Sequence, residues 1–85
     1  MTLAELRAHI DATDRELLAL LAERAQLVTA AFALKQSQGL PQLDPEREAE
    51  VVRRLQEAGA ALGLDGEAVA QVWRAILRLE RQPPV

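Results

Sequence analysis

The sequence predicts an all-α chain of three helices, one long and two shorter, intertwined with a second copy as a helical homodimer. Three observations carry this prediction. From Leu3 to about Ser37 there is no Pro and no Gly. Over that stretch apolar or small residues recur at helical spacing through Leu3, Leu6, Ile10, Thr13, Leu17, Leu20, Leu21, Leu27, Val28, Ala31 and Leu34. Two short breaks containing Gly or Pro, Gln38–Leu43 and Gly63–Gly66, then set off two further amphipathic segments. Aliphatic residues abound, while the 85 residues include one Phe, one Trp and no Tyr, a balance that suits helices better than a β-sandwich.

Each helix has a local reason to start and stop. Thr2 is an N-cap with Glu5 three residues on, the pattern of a capping box, so the first helix covers about residues 3–37. Such a helix is about 50 Å long, whereas a compact domain of this size has a radius of gyration of about 12 Å. It overshoots its own globule and leaves apolar surface bare, and pairing with a second copy is the simplest remedy. Asp44-Pro45-Glu46-Arg47-Glu48 starts the second helix: Asp at the cap, Pro at the first helical position, acids in the first turn. That helix runs to about residue 62, with Val51, Val52, Leu55, Ala58 and Leu62 on its inner face. Asp65 caps a third helix over about 66–82, which turns Val69, Val72, Trp73, Ile76 and Leu77 inward and stops at Pro83-Pro84. The short breaks make neighbouring helices antiparallel. The whole chain, residues 1–85, reads as one domain.

Composition excludes several functions. A net charge of −3 argues against a broad nucleic-acid footprint. There is no cysteine, hence no disulfide framework and no thiolate metal site, and His9 is the only histidine, which argues against a His-based metal site. There is no signal-peptide pattern and no apolar run long enough to span a membrane, so a cytoplasmic protein is expected.

Two cations interrupt the long stripe. At about 100° per residue, Arg24 and Lys35 lie about 20° apart at the middle of the apolar face. Lys35 is the only lysine of the chain. A cation there is costly unless something pairs with it, and no acid of the same helix shares that centre. Arg47, at the edge of the second helix's inner face, and Glu48, within it, complete an inward polar set with Asp44 at that helix's start. Arg24 and Lys35 are about 16 Å apart along the axis, so two long side chains leaning together leave a gap that suits a small dianion. Arg7, at the stripe's edge, is about 42 Å from Lys35 along the helix and reaches the same ligand only from a second copy.

These residues resemble the all-helical (type II) chorismate mutases, whose small subunits interlock through a long first helix. The resemblance covers nearly the whole chain. It lies in Leu6-Arg7-x-x-Ile10-Asp11-x-x-Asp14, in Leu17-Leu18-x-Leu20-Leu21-x-Glu23-Arg24, in Lys35, in Asp44-x-x-Arg47-Glu48 and in Val72-Trp73-x-x-Ile76. No short piece is decisive; the combined spacing from Arg7 to Glu48 is specific. The resemblance implies rearrangement of chorismate to prephenate in aromatic amino-acid biosynthesis, with no cofactor and no metal. It also implies residue roles. Arg24 and the second copy's Arg7 hold the substrate carboxylates, Lys35 donates to the ether oxygen, Arg47 adds cationic support, and Glu48, helped by Asp44, takes the ring hydroxyl.

The chain departs from the family pattern late in the third helix. The family's Ser and, one turn on, its Gln or Glu fall here on Glu80 and Pro84. Proline has no side-chain donor, and Gln82 points to the opposite face. Glu80, one turn early, donates to the ether oxygen only when protonated. A half-built ether site leaves room for two other readings. One is a pyruvate-removing lyase acting on isochorismate on the same fold, which Ala30-Ala31-Phe32-Ala33-Leu34-Lys35 and Val72-Trp73-Arg74-Ala75-Ile76 also resemble. The other is a weakly active or non-catalytic dimerisation module serving a larger shikimate-pathway enzyme. Plain structural roles stand beside these. Arg24 and Lys35 can pair with Glu48 or Asp44 between helices, and Arg7 can be a solvated edge residue. Trp73 reads as core, His9 as exposed, and Arg53-Arg54 and the Arg74, Arg78, Arg81 row as solvated faces. The combined spacing favours a ligand site.

Overall fold

A computed structural model describes residues 1–81. They form α1 (Leu3–Ser37), α2 (Pro45–Ala61) and α3 (Gly66–Arg81), with no strand among the described residues. The expected last residue of the third helix, Gln82, and the Pro83-Pro84 stop lie outside them. The chain divides into two compact units, Met1–Leu34 and Lys35–Val85.

The first unit is most of α1. Its start is the expected capping box: the Thr2 hydroxyl oxygen accepts from the Glu5 amide at 3.1 Å, and the Thr2 amide donates back to Glu5 Oε1 at 3.3 Å. The hydroxyls of Thr13 and Thr29 donate to carbonyls one turn earlier, those of His9 and Ala25, so these residues sit in the helix with their polar atoms satisfied. No residue of α1 is buried. Leu17, Leu18, Leu20 and Leu27 are each more than half exposed. One expectation fails here. A stretch of α1 with a mean hydropathy of 1.6 is long and apolar enough, by length and composition, to cross a membrane. No unbroken apolar run exists, but between Leu17 and Leu34 only Glu23 and Arg24 carry charge, and the dense Leu and Ala outweigh them.

The second unit begins at the last turn of α1. Gly39 takes a φ of 69°, and the Leu40 amide donates to the Lys35 carbonyl at 2.9 Å, closing the helix C-terminus. The same device ends α2: Gly63 has a φ of 83°, and the Leu64 amide donates to the Gly59 carbonyl at 2.9 Å. Asp44 caps α2 by accepting from the Arg47 amide at 3.1 Å, and Asp65 caps α3 by accepting from the Ala68 amide at 3.0 Å. Helices α2 and α3 pack as an antiparallel pair, with Gly59 near the end of α2 against Val69 near the start of α3, and Glu48 against Arg81 at the other end.

Among the described residues the buried hydrophobics are Val51, Val52 and Ala70. Val51, Val52 and a half-buried Leu55 fall on the expected face of α2. Ala58 and Leu62 do not, and both are exposed. The helix ends at Ala61, Leu62 serves as its C-cap, and the line of contact with α3 passes through Gly59, which is buried. Val72 of α3 is 53% exposed, against the expectation, because Ala70 and half-buried Val69, Trp73, Ile76 and Leu77 fill the face toward α2. His9 is exposed, as expected.

Gly59 is required by close approach. A Cβ there would sit 2.8 Å from Val69 Cγ2. Gly59→Ala gains about 1 kcal/mol of helix propensity but overpacks the crossing by about 1–3 kcal/mol, so it should lower the melting temperature. Gly59→Ala combined with Val69→Ala should recover part of the loss, and an unchanged melting curve for the single variant would contradict the close packing.

Candidate functional site

The start of α2 organises the polar groups of the second unit. Pro45 fixes the first helical turn, Asp44 holds the Arg47 amide, and two cavities open on either side of Pro45. One, of about 590 Å³, is bordered by Lys35, Leu40, Pro41 and Leu43 together with Asp44 and Glu46. The other, of about 450 Å³, lies between α2 and α3 and is bordered by Glu48, Val52, Leu77 and the arginines Arg74, Arg78 and Arg81. Both volumes are in the range that holds a small metabolite.

Lys35 lies in the last turn of α1, half-buried, where a cation complements the helix dipole. Its Nζ donates to the Gln42 carbonyl at 3.4 Å. The ammonium is thereby held over the loop that joins α1 to α2, at the wall of the first cavity. Asp44 borders that cavity too, although one of its carboxylate oxygens is engaged in capping. The two predicted site residues are therefore brought to one place.

Glu48 is on the wall of the second cavity, and its carboxylate is ion-paired with Arg81. Arg47 turns elsewhere: its guanidinium pairs with Glu50 at 3.2 Å, and Glu50 also receives Arg54 at 3.7 Å. Both Arg47 and Glu50 are about half exposed. The i, i+3 spacing on α2 makes that contact local and easy to form. Glu80 is half-buried near the end of α3, with Oε2 fully shielded from solvent. Arg7 and Arg24 belong to the first unit, where Arg7 is exposed and Arg24 is half-buried. Trp73 is half-buried with its indole nitrogen fully shielded, in keeping with a core role.

Sequence reasoning missed Arg81. It reads as part of a solvated row with Arg74 and Arg78, and its side chain is indeed 46% exposed, yet its guanidinium is bonded to a predicted site carboxylate. No local spacing signals this, because Glu48 and Arg81 are 33 residues apart. Only the antiparallel pairing of α2 with α3 brings them together.

Comparisons with known proteins place the chain in a family. The family model described as chorismate mutase type II matches residues 6–82. The chorismate mutase of Methanocaldococcus jannaschii is 40% identical over 75 residues, covering 88% of this chain and 76% of that protein. The T-protein of Enterobacter agglomerans is 38% identical over 76 residues, covering 89% of this chain but 20% of its own length. The bifunctional chorismate mutase/prephenate dehydratase of Escherichia coli (strain K12) is 36% identical over 75 residues, covering 88% of this chain and 19% of its own length. The chain thus spans about a fifth of the length of the T-protein and of the bifunctional enzyme. No solved structure matches at the same stringency. A match that begins at Leu6 and ends at Gln82 takes in all three helices and every residue of the polar set, and on that ground the chain belongs to the type II chorismate mutase family.

Proposed function

We propose that the chain rearranges chorismate to prephenate as a homodimeric mutase. The observation that carries the reading is the family match over residues 6–82, together with a relative named chorismate mutase of which the chain covers 76%. The reaction is unimolecular: the bond from the ether oxygen to the ring breaks as a carbon–carbon bond forms. It needs no nucleophile. A protein speeds it by holding the compact chair-like conformer and by meeting the negative charge that grows on the ether oxygen.

In this reading Arg24 and the second copy's Arg7 hold the two carboxylates. Lys35 donates to the ether oxygen, and Glu80, when protonated, is the second donor there. Glu48 takes the ring hydroxyl with help from Asp44, and Arg47 adds positive charge once released from Glu50. The bare leucines of α1 and the small buried core support pairing with a second copy, which would cover that surface. The same pairing accounts for the membrane-like composition of α1, and a mutase of small soluble metabolites fits a cytoplasmic setting. The bifunctional relative joins mutase and prephenate dehydratase in one name, which supports a pathway partner that consumes prephenate.

The test is a two-substrate assay with product identification by chromatography. Prephenate from chorismate is the expected result. Pyruvate from isochorismate without prephenate from chorismate would make the protein a lyase. Turnover of neither, with retained binding of a transition-state mimic, would make it a non-catalytic module.

A further inference from the structure

We infer that Arg81 is a positioning residue of this site: it fixes Glu48 and offsets its charge, so that the carboxylate can face a doubly negative substrate without repelling it. The inference rests on the mutase reading above. Glu48 and Arg81 face each other across the cavity wall as an ion pair, with side chains 31% and 46% exposed. A lone carboxylate on that wall would repel a doubly negative substrate. With Arg81 against it, the wall carries Arg74, Arg78 and Arg81 against a single acid. Arg74 is drawn partly toward Glu67, 3.9 Å away on its own helix, which leaves Arg81 as the cation committed to Glu48.

The chemistry of the guanidinium suits this task. It is a planar fork with five N–H donors, and contact with one carboxylate leaves others directed elsewhere. Held by Arg81, the carboxylate of Glu48 keeps one orientation and has a free lone pair for the ring hydroxyl. Arg81 lies near the end of α3, close to the stretch where the family's own donor is replaced by proline in this sequence.

The test is steady-state kinetics on full-length wild type, Arg81→Met, Arg81→Lys, Glu48→Gln and the Arg81→Met/Glu48→Gln double variant, with a thermal melt of each. Arg81→Met should raise KM for chorismate about tenfold while kcat falls no more than about threefold, and Arg81→Lys should recover part of the loss. Because Arg81 acts through Glu48, the double variant should be no worse than Glu48→Gln alone. Wild-type KM and kcat in Arg81→Met, even with a lower melting temperature, would overturn the inference and leave a plain clamp between helices. Fully additive losses in the double variant would overturn it as well. Wild-type protein that turns over neither chorismate nor isochorismate would sink the mutase reading and this inference together, whereas an active wild type insensitive to Arg81 sinks the inference alone.

Discussion

Lys35→Ala should lower kcat for chorismate rearrangement by roughly a hundred- to a thousandfold, the usual cost of removing one preorganised donor from a developing oxyanion. The loss should appear equally in kcat and kcat/KM, because the ether oxygen is a weak acceptor in the ground state and a strong one as its bond breaks. Folding should suffer far less. The ammonium donates to the Gln42 carbonyl at 3.4 Å and sits at the C-terminal end of α1, contributions that together amount to about 1 kcal/mol. The measurement is a progress curve of chorismate loss paired with a melting curve. Near-normal turnover in a folded variant would remove Lys35 from the mechanism. A collapse of both signals would mean that the residue serves the loop between α1 and α2.

The second large effect concerns shared sites. Arg7→Ala and Arg24→Ala should each be nearly inactive alone, and mixing the two after subunit exchange should restore about a quarter of the wild-type activity. The figure follows from twofold symmetry. Half of the mixed dimers are hybrids, and a hybrid keeps one site with both arginines and one with neither. Exchange is verified by mass spectrometry of the intact dimers. Hybrids that form yet stay inactive would mean that Arg7 and Arg24 serve one copy only, whereas near-normal activity of Arg7→Ala alone would leave Arg7 the solvated edge residue its exposure suggests.

The parts of the fold that were legible in the sequence are those written in short-range chemistry. Thr2 with Glu5, Asp44 with Pro45, and Asp65 announce helix starts because a cap is satisfied within three residues. Gly39 and Gly63 announce helix ends because only a left-handed turn returns the amide to the last carbonyls. What was not legible depends on which faces meet. Ala58 and Gly59 differ by one position along α2, and helical periodicity alone does not choose between them. The close approach of Val69 does. The site shows the same division. Lys35 and Asp44, seven and two residues from Gln42, border one cavity because the loop between them is short. Arg47 reads as an inward cation, but a neighbouring acid on its own helix captures it. Arg81 reads as solvent-facing, and a carboxylate from another helix captures it.

The carboxylate of Asp44 both begins α2 and borders the cavity that Lys35 overlooks. Fraying of that first turn would therefore also displace one wall of the cavity. A guest molecule that settles beside Lys35 would tighten the opening coil of α2 by mass action.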